Sequence, residues 1–176
     1  MPGIDETLAF TPVRIAVLTV SDTRTIETDT SGAVLAQRLQ DAGHHLADRN
    51  IIKDDPEAIR ACVKAWINTP DVDVVITTGG TGLTGRDVTP EAITPLFEKT
   101  IDGFSVIFHQ VSFQSVGLST LQSRAVAGLA NGTFIFCLPG SNGAVKDGWD
   151  KVISHQLDSR HKPCNLVEIM PRLMEQ

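Results

Sequence analysis

Four glycines, an arginine and an aspartate fall within the nine residues Gly79-Gly80-Thr81-Gly82-Leu83-Thr84-Gly85-Arg86-Asp87, directly after the apolar run Val74-Val75-Ile76. A backbone without Cβ atoms can pass through positive φ and bring its N–H groups against phosphate oxygens. Arg86 can neutralise a phosphate, and Asp87 can hold Mg2+, a hard cation that takes carboxylate and phosphate oxygens. A tight strand-to-helix turn accounts for one or two of these glycines, but not for all four beside an Arg-Asp pair. Thr89-Pro90-Glu91-Ala92 then reads as a helix start, with Thr89 as N-cap and Pro90 at the first helical position.

Other polar residues gather after apolar runs in the same way. Ser21-Asp22 follows Arg14–Val20, Asp54-Asp55 follows the segment ending at Ile52, and Pro139-Gly140-Ser141 follows Thr133–Leu138. In an open parallel sheet, ligands bind outside the carboxyl ends of the strands, so these segments are expected to meet Thr78 and the glycine loop on one rim. Two carboxylates there, Asp54 and Asp87, can hold Mg2+ against the phosphates of ATP and orient an in-line displacement at the α-phosphorus. Asp54 has a plainer reading, since Asp-Asp-Pro is also a turn and cap signal. Ser141 is either an anion contact at a helix N-terminus or an ordinary N-cap.

The elements that must position these residues follow from hydrophobic spacing. Arg14–Ser21, Val72–Thr78 and Thr133–Leu138 are near-continuous apolar runs, as expected of strands covered on both faces. His45–Ile52 is a further strand. Helical spacing runs from Val34 through Leu39 to Ala42, behind the candidate caps Thr28-Asp29-Thr30-Ser31. It recurs from Ile59 through Ile67 behind Asp55-Pro56, over Pro90–Phe97, over Phe104–Ser115, and over Ser141–Leu157. Alternating strands and helices predict a three-layer α/β/α sandwich with a mostly parallel sheet. Residues 1–12 are expected to be a flexible arm and residues 13–176 a single domain.

Composition narrows the classes. A net charge of −6 and no basic stripe argue against nucleic-acid binding, which needs clustered Lys and Arg. No apolar run approaches the length needed to span a bilayer, and the acidic start lacks a signal-peptide core, so a cytoplasmic protein is expected. Cys62, Cys137 and Cys164 show no metal-ligand spacing, and Cys62 and Cys137 read as core. The five histidines likewise form no ligand set. Trp66 and Trp149 read as helix residues packed on the sheet. Gly80-Thr81-Gly82-Leu83-Thr84-Gly85 fits the G-x-G-x-x-G of nicotinamide-binding proteins. That fingerprint belongs after the first strand with a helix opening through it, whereas here Asp87 and Pro90 delay the helix.

The loop Thr78-Gly79-Gly80-Thr81-Gly82 with Arg86-Asp87-Val88-Thr89-Pro90-Glu91 resembles the molybdopterin-binding domain of the MoaB/MogA family. The likeness extends to Arg14–Asp22, Ile52-Lys53-Asp54-Asp55, Leu121-Gln122-Ser123-Arg124, Leu138-Pro139-Gly140-Ser141 and Pro163-Cys164-Asn165, nearly the whole chain. It implies adenylylation of molybdopterin with ATP and Mg2+, with Asp54 and Asp87 catalytic and metal-holding. It also implies substrate contacts at Ser21, along Thr78-Gly79-Gly80-Thr81-Gly82, at Arg86, at Ser112, Ser123 and Arg124, and at Pro139-Gly140-Ser141. Arg124 is the candidate for a bidentate phosphate contact. The family also implies a homotrimer or homohexamer, with other cofactor-assembly proteins as partners. One departure stands out: adenylylating members often carry Asn before the Leu-Pro-Gly segment, where this chain has Cys137. A member that binds the pterin without adenylylating it is therefore the alternative.

Overall fold

The computed structural model describes residues 3–175. Its main sheet has six strands in the spatial order β3-β2-β4-β7-β6-β5, where β2 is Arg14–Val20, β3 His45–Ile52, β4 Val74–Thr78, β5 Lys99–Thr100, β6 Val126–Ala130 and β7 Thr133–Leu138. The pairings β3-β2, β2-β4 and β4-β7 are parallel, and β7-β6 and β6-β5 are antiparallel. The three-layer sandwich with a mostly parallel sheet is therefore the observed architecture.

Side chains alternate across a strand, and the alternation divides the core in two. Ile15, Val17, Val74, Ile76, Phe134, Phe136 and Leu138 face α1 (Thr30–Asp41), α4 (Asp102–Val116) and α5 (Asn142–Gly148), and pack there with Leu35, Leu39, Phe104, Phe108 and Trp149. Ala16, Leu18, Val20, Val75, Ile135 and Cys137 face the other way, onto Ile59, Val63 and Trp66 of α2 (Pro56–Ile67) and Ala92 and Ile93 of α3 (Thr89–Ile93). The central strands are apolar throughout because both of their faces are covered.

Caps set the helix starts. Asp29 caps α1 by accepting from the Gly32 N–H, and Asp55 caps α2 by accepting from Glu57 and Ala58, with Pro56 at its first position. Thr89, expected as the N-cap of α3, is not one. It lies inside the helix, fully buried, and its hydroxyl donates 2.8 Å to the Gly79 carbonyl. The long helix expected over Ser141–Leu157 is α5, a π-helical turn at Trp149–Ile153 and α6 (Ser154–Leu157). Of the two cysteines read as core, Cys137 is buried and Cys62 only half-buried. Both tryptophans pack as expected, with the Trp66 Nε1 donating 2.9 Å to Asp48.

The arm expected over residues 1–12 is tied down wherever it is described; Met1 and Pro2 lie outside the described residues. β1 (Gly3–Ile4) pairs antiparallel with β8 (His161–Lys162). The Thr11 N–H donates 2.8 Å to the Ser159 hydroxyl, which itself donates to the Ala9 carbonyl. The Phe10 ring lies between the Arg160 guanidinium and the His44 ring, 5.2 Å from each.

This strap covers a buried imidazole. His44 Nδ1 accepts from the Val13 N–H at 3.2 Å, and burial pushes its pKa down to about 4, against an opposing pull from Asp158 and with a small further push from His45. The unfolded chain takes up this proton near pH 6.5, and the folded chain refuses it until about pH 4. Stability present above pH 6.5 is therefore lost as the pH falls toward 4, by about 3 kcal/mol from this residue. Urea unfolding of wild type and His44→Asn at pH 7 and pH 4.5 is expected to show a smaller acid loss in the variant.

Candidate functional site

The strand ends converge on one rim as expected. The Gly79 N–H donates to the Leu138 carbonyl and the Thr78 hydroxyl to the Pro139 carbonyl, which joins the glycine loop to the Pro139-Gly140-Ser141 turn. A Cβ on Gly140 would stand 3.2 Å from the Gly79 Cα. Gly79 has φ +100° and lies so close to the Val20 carbonyl that a Cβ would overlap it. Gly80 has φ +66°, and a Cβ there would meet the Thr89 hydroxyl and come within 3.3 Å of Asp54 Oδ1. β2, β3, β4 and β7 thus deliver their ends to one place because bare backbone stands between them.

Asp54 and Asp87 reach this place in different states. Asp55, not Asp54, is the helix cap, and among the described residues no side chain donates a hydrogen bond to the Asp54 carboxylate, which has only the Asp22 backbone to draw on. Burial raises its pKa, and the charge of Asp22 adds to the effect. Asp87 is held from within its own loop: its Oδ2 accepts from the Thr84 amide at 2.9 Å and the Thr84 hydroxyl at 2.6 Å. Burial pushes its pKa up, but the Thr84 hydroxyl and amide, the Gly82 N–H and Arg124 together bring it below the usual carboxylate value. A Cβ on Gly82 would stand 2.7 Å from Asp87 Oδ2, so this glycine is required by the aspartate.

Arg86 and Arg124 do not stand free. Arg86 donates from Nε at 3.0 Å and from Nη2 at 2.5 Å to Asp22 Oδ2, while Asp22 Oδ1 accepts from the Asp54 N–H at 3.2 Å. Arg124 is a brace for the glycine loop. Its Nε donates to the Gly82 carbonyl and its Nη2 to the Asp87 carbonyl, both at 2.8 Å, and its Nη1 pairs with Glu91. Its own amide donates to the Thr81 carbonyl. The geometry thus directs the bidentate reach expected toward a phosphate onto backbone carbonyls and Glu91.

The remaining candidates divide. Ser21 lines a cleft of about 320 Å³ with Asp22, Arg24, Asn50 and Lys53, beside the ends of β2 and β3. Ser141 is an N-cap whose hydroxyl accepts from the Ala144 amide at 3.1 Å, the plainer of its two readings. Ser112 is buried in α4, one turn beyond His109. The Ser123 hydroxyl is buried without a hydrogen-bond partner. Neither hydroxyl is joined by a hydrogen bond to the glycine loop. Cys137 lies in the core facing α2 and α3, its thiol pushed up to about 12 by burial.

Sequence reasoning missed three participants: Asp22 as the partner of Arg86, Glu91 as the partner of Arg124, and His109. The His109 ring lies between the Ser105 and Ser123 carbonyls and so fixes the segment that carries Arg124 to α4. Acidic and basic residues far apart in the chain carried no local signal of these pairings.

The arrangement can bind a phosphate-bearing ligand beneath bare loop amides and set a carboxylate without a side-chain donor against it. A divalent cation fits in a limited way. Among the described residues no group of three or more His, Cys, Asp or Glu is placed to hold a metal. Asp54 and Asp87 would therefore supply two carboxylates, with water and substrate phosphates supplying the rest, the usual habit of Mg2+.

The family model described as "Probable molybdopterin binding domain" matches residues 16–159. Molybdenum cofactor biosynthesis protein B of Escherichia coli strain K12 is 54% identical over 156 residues, covering 89% of this chain and 92% of the relative. The Bacillus subtilis protein of the same name is 47% identical over 146 residues, covering 82% and 86%. A crystal structure of molybdenum cofactor biosynthesis protein B superposes with a TM-score of 0.86 at 41% identity, over 96% of this chain and all of the other. The tungsten cofactor synthesizing protein MoaB from Pyrococcus furiosus gives a TM-score of 0.74 at 36% identity, over 84% and 94%.

The brace predicts a specific lesion. Arg124→Lys keeps the charge but cannot reach three acceptors at once, and each charge-assisted bond lost costs about 1.5–3 kcal/mol locally. Hydrogen exchange is expected to show the amides of residues 80–87 opening at least about tenfold more often, with the central strands unchanged.

Proposed function

The chain belongs to the MoaB/MogA family of molybdopterin-binding domains, and from that membership we propose that it serves molybdenum cofactor biosynthesis by binding molybdopterin and adenylylating it with Mg-ATP. The observation that carries the reading is the Asp54 carboxylate, without a side-chain donor among the described residues, close to Gly80 and on the same rim as Asp87 and Arg86. In this reaction a terminal phosphate oxygen of molybdopterin attacks the α-phosphorus of ATP, the bond to the β-phosphate breaks, and pyrophosphate leaves with the electron pair. Mg2+, when bound, neutralises phosphate charge as the leaving group departs. The chain's own part is positioning. The glycine loop lets phosphates approach the backbone, Arg86 offers a planar donor fork, and Asp87 is fixed by Thr84 before any ligand arrives.

Cys137 does not weaken this reading. Its side chain faces the core and not the rim, so the departure from Asn removes no group from the ligand side of the site. The binding-only alternative keeps the same rim and differs only in turnover.

Self-association accompanies the activity. α4 and the 3-10 turn after it leave Val106, Phe113, Val116, Leu118 and Leu121 exposed, with Leu118 and Leu121 each 73% accessible. So much apolar surface on one segment of a chain this size supports burial against further copies, as a trimer or hexamer. Light scattering is expected to give a trimeric or hexameric mass for the wild type and a monomeric mass for a Phe113→Glu, Leu121→Glu double variant.

The decisive assay supplies purified protein with ATP, Mg2+ and freshly prepared molybdopterin, and follows adenylylated pterin by chromatography. Wild type is expected to form product, and Asp87→Asn and Asp54→Asn to lose it by at least about 100-fold while still binding pterin. Tight pterin binding with no product in any of the three proteins would leave the binding-only reading.

A further inference from the structure

The geometry points to Asp22 as a positioning residue that holds Arg86 in an anion-mimicking latch across the rim, which an incoming phosphate must displace. The inference rests on the proposed phosphate-binding reading of the rim and goes beyond it by naming the group that competes with the ligand.

Three observations meet at Asp22. Its Oδ2 takes two donors from one guanidinium, Arg86 Nε and Nη2, the donors with which a guanidinium takes a phosphate. Its Oδ1 accepts from the Asp54 N–H, so the carboxylate is also tied to the segment just after β3, independently of Arg86. The pair also joins the two sides of the site, since Asp22 follows β2 and Arg86 lies in the loop after β4. The rim is thus tied across by a contact that uses the donors the ligand needs.

The latch is weak enough to open. The Arg86 side chain is 68% exposed and that of Asp22 36%, and ion pairs in such positions contribute little to stability. A phosphate bearing two charges offers Arg86 a stronger acceptor than a solvated carboxylate. On exchange the Asp22 carboxylate is left with the Asp54 amide and a negative charge facing the site, so it also disfavours any anion that does not engage Arg86. In this way Asp22 lowers the affinity for polyphosphates in general and leaves a preference for those placed to take the guanidinium.

The test uses inorganic pyrophosphate with Mg2+ as probe, titrated by calorimetry into full-length wild type, Asp22→Asn, Arg86→Gln and the double variant. Asn keeps Oδ1 for the Asp54 N–H and removes the charge that holds Arg86. If the latch exists, Asp22→Asn binds pyrophosphate about threefold to tenfold tighter when Arg86 is present, and the gain disappears in the Arg86→Gln background. The Arg86 side-chain Nε–H resonance gives a readout without ligand: Asp22→Asn is expected to shift it in the free protein, and pyrophosphate to shift it in the wild type. In turnover, the KM for ATP falls in Asp22→Asn, a change that loss of structure does not produce. An equal gain in both Arg86 backgrounds makes Asp22 a plain electrostatic repeller and overturns the latch, as does a loss of affinity in Asp22→Asn. Binding that ignores Arg86→Gln in otherwise native protein, or no binding at all, rejects the phosphate reading of the rim itself and the latch with it. The two failures are therefore distinct.

Discussion

The close approach of Gly79 to the Val20 carbonyl is the constraint on which the site depends. β4 lies between β2 and β7, and its end must turn upward through a gap that admits no side chain. The turn is then closed by Thr89, whose hydroxyl donates to the Gly79 carbonyl and whose amide donates to the Gly80 carbonyl. These bonds draw the start of α3 back under the loop and force residues 81–88 outward as a projection. The projection would be loose without Arg124, which ties two of its carbonyls from inside. Glycine at 79 and 80, threonine at 89 and arginine at 124 therefore act as one mechanical unit. Arg86 and Asp87 are mounted on it.

Much of this order was legible in the sequence, for physical reasons. Strands buried on both faces leave nearly unbroken apolar runs, so β2, β4 and β7 were recognisable, and the resemblance placed the family. β6 was not, because Val126-Ala127-Gly128-Leu129-Ala130 is short and built of small residues. Gly128 is small because the Phe97 ring occupies the space a Cβ would take, a tertiary demand with no local trace. One signal was present and unused. Asn131-Gly132 separates β6 from β7 with positive φ at both residues, the standard composition of a two-residue hairpin turn. Thr89 misled because Thr before Pro is a good capping pattern, and only the closeness of Gly79 gives its hydroxyl a better partner.

The site was legible as a set of segments and not as a set of contacts. The glycine loop and both aspartates were read correctly as neighbours of the strand ends. Arg124 was assigned to the ligand by the resemblance alone, and its contacts to the loop had no trace in the sequence because the Gly82 and Asp87 carbonyls that take its donors lie some forty residues away. The N-terminal residues were read as loose because they lack periodicity. Their order comes from a two-residue strand and a single aromatic ring over His44, features too short to produce a pattern.

The charges on the rim explain why two aspartates of the same kind are placed so differently. Asp87 is surrounded by donors and stays ionised, fixed in direction by Thr84. Asp54 is partly buried, has no side-chain donor among the described residues and lies near the negative charge of Asp22, so its ionised form is less favourable and gains most from an arriving cation. With Arg124 committed to the loop, Arg86 is the cation facing these carboxylates, and Asp22 already holds it. An anionic substrate approaching alone would meet the carboxylates of Asp22, Asp54 and Asp87 with Arg86 already paired. Under the proposed reading, one approaching with a divalent cation would bring the charge that Asp54 lacks and release Arg86 to the phosphates, so the electrostatics would favour a metal–phosphate complex over a free phosphate.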